Sequence, residues 1–181
     1  MRAMKFERIG KEKAGDLNQL FVSTFASSEG AEEGALIGGL VSKLSACIDD
    51  SEIICFGAIE NEQFIGAIFF TMLKFTDGAP IYMLAPVAVS TGRQKSGVGQ
   101  ALIRHGLNEL ANDGVLAAVT YGDPSFYGKI GFLPLSEDVL KAPLDLSMPH
   151  GWQGQSLSKE PIHARTERPD CVDAFRDAAY W

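Results

Sequence analysis

The run Ile81–Val89 is nine residues long and apolar nearly throughout. It passes directly into Ser90-Thr91-Gly92-Arg93-Gln94-Lys95-Ser96-Gly97-Val98-Gly99 and then into a stretch of helical periodicity. An apolar run of that length, bounded by turn residues, reads as a strand covered on both faces. Residues 97–114 set Leu102, Ile103, Gly106, Leu107 and Leu110 on one stripe, with Gln100, Arg104 and Asn108 opposite. That pattern is a helix with one face toward a core, and Gly114 is placed to end it. A strand covered on both sides needs neighbouring strands and a layer of helices, so the chain is committed to a sheet-and-helix architecture. Pro86 interrupts the strand pattern. Having no N–H to give to a ladder, it marks a bulge or the place where pairing stops.

The flanking sequence fills in the rest. Residues 4–9 alternate weakly and read as a first strand. Residues 11–25 place Ala14, Leu17, Leu20, Phe21 and Phe25 at helical spacing. A second helix is expected over 28–50, with Glu29, Glu32 and Glu33 at the positive end of its dipole and Leu36, Leu40 and Leu44 four apart. Gly30, Gly34, Gly38 and Gly39 weaken it, at about 1 kcal/mol for each interior glycine. Strands at 53–59 and 64–75 flank Glu60-Asn61-Glu62-Gln63, a hairpin connection, and Asp77-Gly78-Ala79-Pro80 is a turn. Residues 116–121 form another buried strand, 124–130 a short helix begun by Pro124, and 132–135 a brief strand. Pro143, Pro149, Pro161 and Pro169 break up residues 136–181; only 152–157 looks like a strand there, and 173–181 is a terminal helix or an aromatic tether. Trp152, Phe175, Tyr180 and Trp181 either close the core there or wall a cleft. The fold class is therefore α/β (mixed α+β), with a single mixed sheet and helices on both faces.

A chain of 181 residues is of one-domain size, so residues 1–181 are taken as a single domain. Twenty-three acidic against 16 basic residues give a net charge of −7, which disfavours nucleic acid as a partner. No apolar run reaches the roughly 18–20 residues of a membrane span, and no apolar leader is visible, so a cytoplasmic protein is expected. Cys47, Cys55 and Cys171 are odd in number and widely spaced, which argues for reduced thiols. Cys55 lies in an apolar strand and reads as a small core residue. His150 and His163 lack partners at ligand spacing, so no metal is expected, and His105 lies four residues before Glu109, the spacing of a helical ion pair.

Chemistry concentrates after Val89. A strand, a glycine-bearing basic loop and a helix start together form an anion cradle, because the first helical turn leaves backbone N–H groups unpaired. Arg93 and Lys95 add local positive charge. A Walker loop would need Lys-Ser/Thr after Gly97, where Val98-Gly99 stands. A dinucleotide fingerprint would need a third glycine where Leu102 stands, and an acidic residue at the end of the next strand, which holds Thr120 and Tyr121. The remaining reading is Gln-x-x-Gly-x-Gly, here Gln94-Lys95-Ser96-Gly97-Val98-Gly99. This loop resembles the acetyl-CoA pyrophosphate loop of the GCN5-related N-acetyltransferases (GNAT).

The resemblance extends to Leu84-Ala85-Pro86-Val87-Ala88-Val89, similar to the family's fourth strand, and to Ser125-Phe126-Tyr127-Gly128-Lys129-Ile130-Gly131-Phe132, similar to its Phe-Tyr-x-x-x-Gly-Phe segment. It covers roughly residues 52–135, and the subgroup most alike is the YhbS-like one. It implies a mostly antiparallel sheet splayed between strands 4 and 5, with residues 136–181 completing the sheet and the acceptor cleft. It also implies acetyl-CoA as co-substrate, held by Val87, Ala88 and Val89 and by Gln94, Lys95, Ser96, Gly97, Val98 and Gly99. The acetyl group would pass to a primary amine of a small molecule or protein by direct attack, with Tyr127 as general acid. An unperturbed tyrosine, near pKa 10, is protonated at neutral pH and can donate. For the acceptor side the resemblance points to Glu29, Glu32 and Glu33; Asp123, four residues before Tyr127, is a further acid nearby in sequence. Many members carry an Asn seven residues before the tyrosine, where Thr120 stands here, so contacts on that side do not carry over. Because residues 81–89 hold no carboxylate to serve as base, a catalytically weak acyl-CoA sensor or regulatory module stays open as the alternative.

Overall fold

The computed structural model describes residues 3–181. In chain order it contains β1 (Lys5–Ile9), α1 (Ala14–Glu29), α2 (Ala31–Ala46), β2 (Ile53–Glu60), β3 (Gln63–Leu73), β4 (Ile81–Val89), α3 (Val98–Asn112), β5 (Ala117–Tyr121), α4 (Pro124–Tyr127), β6 (Leu133–Pro134) and β7 (Trp152–Ser156). The seven strands hydrogen-bond in the order β1-β2-β3-β4-β5-β7-β6. The sheet is mostly antiparallel, with β4 and β5 parallel. The chain packs as two compact units, one made of the segment ending at Phe70 with Pro86–His105, the other of Thr71–Ala85 with Gly106–Trp181.

In the first unit β1 runs antiparallel to β2, from Lys5 opposite Ile59 to Ile9 opposite Cys55. The β2–β3 hairpin forms as the sequence predicts. Asn61 (φ 53°) and Glu62 (φ 63°) both take positive φ, as a two-residue I′-type connection requires. Leu17, Leu20 and Phe21 of α1 and Leu40, Val41 and Leu44 of α2 are buried. The Phe21 ring lies 5.8 Å from Phe69, and Phe56 meets Phe70 edge-on at 6.0 Å. His105 is half-buried, against the rings of Phe6 (5.3 Å) and Phe56 (5.7 Å).

The expected boundary between the first two helices is corrected. α1 continues to Glu29, because Ala26, Ser27 and Ser28 give no signal strong enough to stop it, and the break falls on Gly30 alone. Glu29 therefore ends α1, while Glu32 and Glu33 occupy the first turn of α2. The glycines of α2 have a packing reason. A Cβ on Gly34 would come 2.9 Å from the Ala26 Cβ, and one on Gly38 would come 2.7 Å from Val22 Cγ2. Asn18 fastens the same approach, donating to the Gly38 carbonyl and the Ser42 hydroxyl, each at 2.9 Å.

In the second unit β4 pairs with β5 from Ile81 opposite Ala117 to Leu84 opposite Thr120, and β5 pairs with β7 from Ala117 opposite Ser156 to Tyr121 opposite Trp152. β6 is only Leu133–Pro134, shorter than expected, with one further bond from the Leu135 amide to the Trp152 carbonyl at 3.0 Å. The proline-broken tail is held by discrete bonds. Lys74 and Asp170 exchange backbone hydrogen bonds at 2.8 and 3.0 Å, Arg165 pairs with Asp77 at 2.8 Å, and Glu167 accepts from the Thr76 amide and hydroxyl. The last residues are two 3₁₀ turns, Asp173–Phe175 and Ala178–Tyr180, rather than a helix. Trp181 folds back to donate its indole N–H to the Phe175 carbonyl (2.7 Å), and buried Trp152 donates to Leu140 (2.9 Å).

The α1–α2 contact yields a paired expectation. Gly34→Ala should destabilise by about 1–3 kcal/mol, overpacking outweighing better helix propensity. Gly39→Ala, whose Cβ would meet nothing within 4 Å, should stabilise by up to about 1 kcal/mol. Urea midpoints of the two variants, moving in opposite directions, check both.

Candidate active site

The β4–β5 ladder stops at Leu84, yet β4 runs on to Val89. Over that extension Pro86 and Ala88 are buried, and Ala85, Val87 and Val89 are half-buried. A 3₁₀ turn at Thr91–Arg93 follows, closed by the Arg93 amide on the Ser90 carbonyl (2.8 Å). The next loop uses its side chains on itself. Gln94 Nε2 donates to the Val89 carbonyl (3.0 Å), and the Ser96 hydroxyl donates to the Arg93 carbonyl. Lys95 has φ 62° and Gly97 φ 87°, and a Cβ on Gly97 would meet nothing within 4 Å. Residues 94–97 are exposed where α3 begins, and the N–H groups of a first helical turn have no intrahelical acceptor. An open, left-handed glycine leading into a 15-residue helix fits a diphosphate bound by main-chain amides. The expected cationic pair is altered: Arg93 is engaged by Glu60, at the end of β2, in a half-buried ion pair. Sequence carries no signal for this partner, 33 residues away.

Tyr127 closes α4. Asp123 caps this short helix, its Oδ1 accepting from the Ser125 amide (2.9 Å) and hydroxyl (2.8 Å), with Pro124 in the first turn. The Tyr127 ring meets Phe126 and Phe132 edge-on at 5.0 and 5.8 Å. Burial pushes its phenol up to about 12; a hydrogen bond with Thr120 pulls it back in part, and the Asp123 charge adds to the rise. Thr120 is fully buried and donates its hydroxyl to the Leu84 carbonyl at 2.8 Å. The residue standing at the family's Asn position thus ties the last ladder pair together and also bonds the tyrosine.

The acidic candidates divide. Glu29 and Glu32 are exposed and Glu33 is half-buried, all around the α1–α2 junction in the first unit. Asp123 stays well below the usual carboxylate range, chiefly through the Ser125 hydroxyl. Burial pushes the Cys55 thiol up, which leaves it a poor nucleophile. Among the described residues no group of three or more His, Cys, Asp or Glu could hold a metal, and no helix is long and apolar enough to cross a membrane. Trp152, Phe175 and Trp181 are buried in the core, and Trp181 also lines, with Tyr180, Tyr121, Gly122, Asp123 and Met148, a cleft of about 540 Å³. Sequence alone could not assemble that cleft, which draws on three separate segments.

Two outcomes are expected. Thr120→Val should cost about 1–3 kcal/mol in urea unfolding, since it leaves the Leu84 carbonyl without this donor. A phenol whose folded pKa lies above the unfolded value of about 10 favours the folded state fully below pH 10, and that contribution is lost as pH rises toward about 12. Unfolding free energy should therefore fall by on the order of 2 kcal/mol over that interval, and Tyr127→Phe should remove this part of the slope.

The profile of the acetyltransferase (GNAT) family matches residues 16–132, more than half of the chain. The uncharacterized N-acetyltransferase YjhQ of Escherichia coli (strain K12) is 29% identical over 180 residues, spanning 94% of this chain and 96% of that protein. Among solved structures, the GNAT family N-acetyltransferase YhbS of Escherichia coli in complex with CoA superposes with a TM-score of 0.77 at 22% identity, covering 98% of this chain and 93% of that one. A GNAT family acetyltransferase from Brucella melitensis in complex with acetyl-CoA gives a TM-score of 0.69 at 21% identity, covering 97% and 99%. A ladder that ends early, a glycine loop opening a helix and a matching family profile lead to one assignment: the chain belongs to the acetyltransferase (GNAT) family.

Proposed function

We propose that this chain transfers the acetyl group of acetyl-CoA to a primary amine of a small molecule or protein, acting as one acetyltransferase domain over residues 1–181. The observation that carries the reading is the loop at 94–99, open and left-handed at Gly97, at the start of α3. In this reading its main chain, Gln94 through Gly99, holds the diphosphate, and the backbone of Val87, Ala88 and Val89 beyond the end of the ladder pairs with the pantetheine arm. Lys95 adds the local positive charge that Arg93, engaged with Glu60, contributes less freely. Acetyl-CoA supplies an acetyl group activated as a thioester. The neutral acceptor nitrogen bonds to the acetyl carbon, the carbon–sulfur bond breaks, the nitrogen's proton leaves to solvent, Tyr127 gives its phenol proton to the departing sulfur, and solvent returns a proton to the phenolate. Exposed Glu29 and Glu32 and half-buried Glu33 form an acidic group that attracts a cationic acceptor rather than a pocket that shapes one. The three free thiols fit a reducing cytoplasm.

The sensor reading keeps one specific support, the lack of a carboxylate on β4 to take the amine's proton. Both readings meet the same test. Thiol release from acetyl-CoA over a broad amine panel should show turnover in the unaltered protein. Tyr127→Phe should lower kcat by about 10²–10⁴-fold with the acetyl-CoA Kd nearly unchanged. Gly97→Ala should do the reverse, weakening acetyl-CoA binding roughly tenfold by forcing a side chain into the left-handed region. Binding without consumption of any amine would move the assignment to the sensor; loss of both binding and turnover on Tyr127→Phe would remove the acid role.

A further inference from the structure

We propose that the cleft walled by Tyr121, Asp123, Met148, Tyr180 and Trp181 binds a primary amine carried on an apolar or aromatic body, the acceptor of the reaction proposed above. Its role as acceptor site rests on that reading; its ligand chemistry does not. About 540 Å³ lies within the usual range for small-molecule sites. The lining contains the rings of Tyr121, Tyr180 and Trp181, the His150 imidazole, one methionine and one carboxylate, and neither lysine nor arginine. An anionic ligand would face the Asp123 carboxylate and find no lysine or arginine in the lining. An ammonium group finds ring faces, which attract cations within about 6 Å, and the Asp123 carboxylate.

The walls are built before any ligand arrives. Tyr121 stacks on Trp181 (centroids 6.4 Å apart, 20° between planes), and its hydroxyl accepts the Met148 amide at 2.6 Å. The Gly122 amide donates to the Gly151 carbonyl at 3.0 Å, and the Trp181 indole is fixed on Phe175. Three chain segments are thereby locked around one space. At its mouth Met148, a large apolar side chain, is 56% exposed, and Ala179 is exposed beside it. Apolar surface at the rim of a preformed aromatic cleft is where the body of a ligand would rest.

The cleft also adjoins the proposed acid. Gly122 is a shared wall: a Cβ placed on it would come 2.9 Å from Tyr127 Cε2. Asp123, the next lining residue, caps the helix that carries the phenol and is kept ionised chiefly by Ser125, with Lys129 adding positive charge nearby. Pocket and phenol therefore form one local constellation inside the second unit.

The test uses phenethylamine, its anionic analogue 3-phenylpropionate and the small polar ethanolamine, each read by intrinsic tryptophan fluorescence and by thiol release from acetyl-CoA. Phenethylamine should perturb the fluorescence and be acetylated in preference to ethanolamine, and 3-phenylpropionate should not bind. Ala179→Phe, at an exposed position, should raise the phenethylamine Kd and KM about tenfold with the acetyl-CoA Kd unchanged. Asp123→Asn preserves a capping residue while deleting the charge, and should raise both about three- to tenfold. Equal binding of 3-phenylpropionate, or indifference of phenethylamine to both variants, overturns the site. Turnover that ignores both variants removes the site and leaves the acetyltransferase reading standing. Variant-sensitive phenethylamine binding without turnover removes that reading and leaves the site.

Discussion

The interaction on which the arrangement depends is a single buried hydroxyl. Thr120 donates to the Leu84 carbonyl at the last pair of the parallel ladder, 2.8 Å away. A strand that leaves its neighbour exposes main-chain groups, and each one buried without a partner costs about 1–3 kcal/mol. Thr120 satisfies the carbonyl at the point of departure from the side, without extending the ladder. Two residues later Pro86 has no N–H to offer, so β4 cannot resume pairing on that edge for at least one step. The same hydroxyl bonds Tyr127, so the end of the sheet and the state of the phenol are set together. An Asn at this position could also bond a carbonyl, but Thr does so with a smaller side chain that remains fully buried.

How far the sequence reveals the structure depends on how local each device is. The Asn61-Glu62 turn, the α3 stripe ending near Gly114 and the Asp123–Pro124 start of α4 are decided within a few residues, and each forms where expected. The break between α1 and α2 escapes sequence reading because Ala26-Ser27-Ser28-Glu29 are acceptable helix residues, and a lone Gly30 decides the boundary. Gly34 and Gly38 look like weak points in a helix. Their reason lies in Ala26 and Val22 across the contact, which helix propensity cannot see. The C-terminal segment is opaque for the same cause at longer range. Its order comes from Lys74 with Asp170, Thr76 with Glu167 and Asp77 with Arg165, pairs about 90 residues apart. Glu60, which engages Arg93, and the cleft around Tyr121 and Trp181 belong to this class as well.

The anion site proposed at 94–99 would let an acidic chain hold a diphosphate without much side-chain charge. Gln94 and Ser96 commit their polar groups to nearby main-chain carbonyls, and Arg93 is committed to Glu60. Besides the exposed Lys95, what the proposed site offers is main chain at a helix start, whose partial charges are fixed in direction and need no side-chain ordering on binding. With a net charge of −7 this arrangement has an advantage, because a cluster of free cations would be drawn to the surrounding carboxylates.

The phenol at about 12 constrains the chemistry more tightly than its identity as tyrosine does. An ordinary thiol ionises near 8.5, so full transfer of a proton from this phenol to a free thiolate would run uphill by about 3–4 pKa units, or roughly 5 kcal/mol. Burial is the main cause of that reluctance, and burial penalises a thiolate in the same surroundings just as it penalises a phenolate. In the proposed reaction the two acidities would converge as the carbon–sulfur bond breaks, and Tyr127 would contribute a hydrogen bond to sulfur while charge develops. A neutral donor suits this better than a cation such as lysine. It needs no counterion when the site is empty, stays protonated across the working pH range, and gains most when the negative charge beside it is greatest.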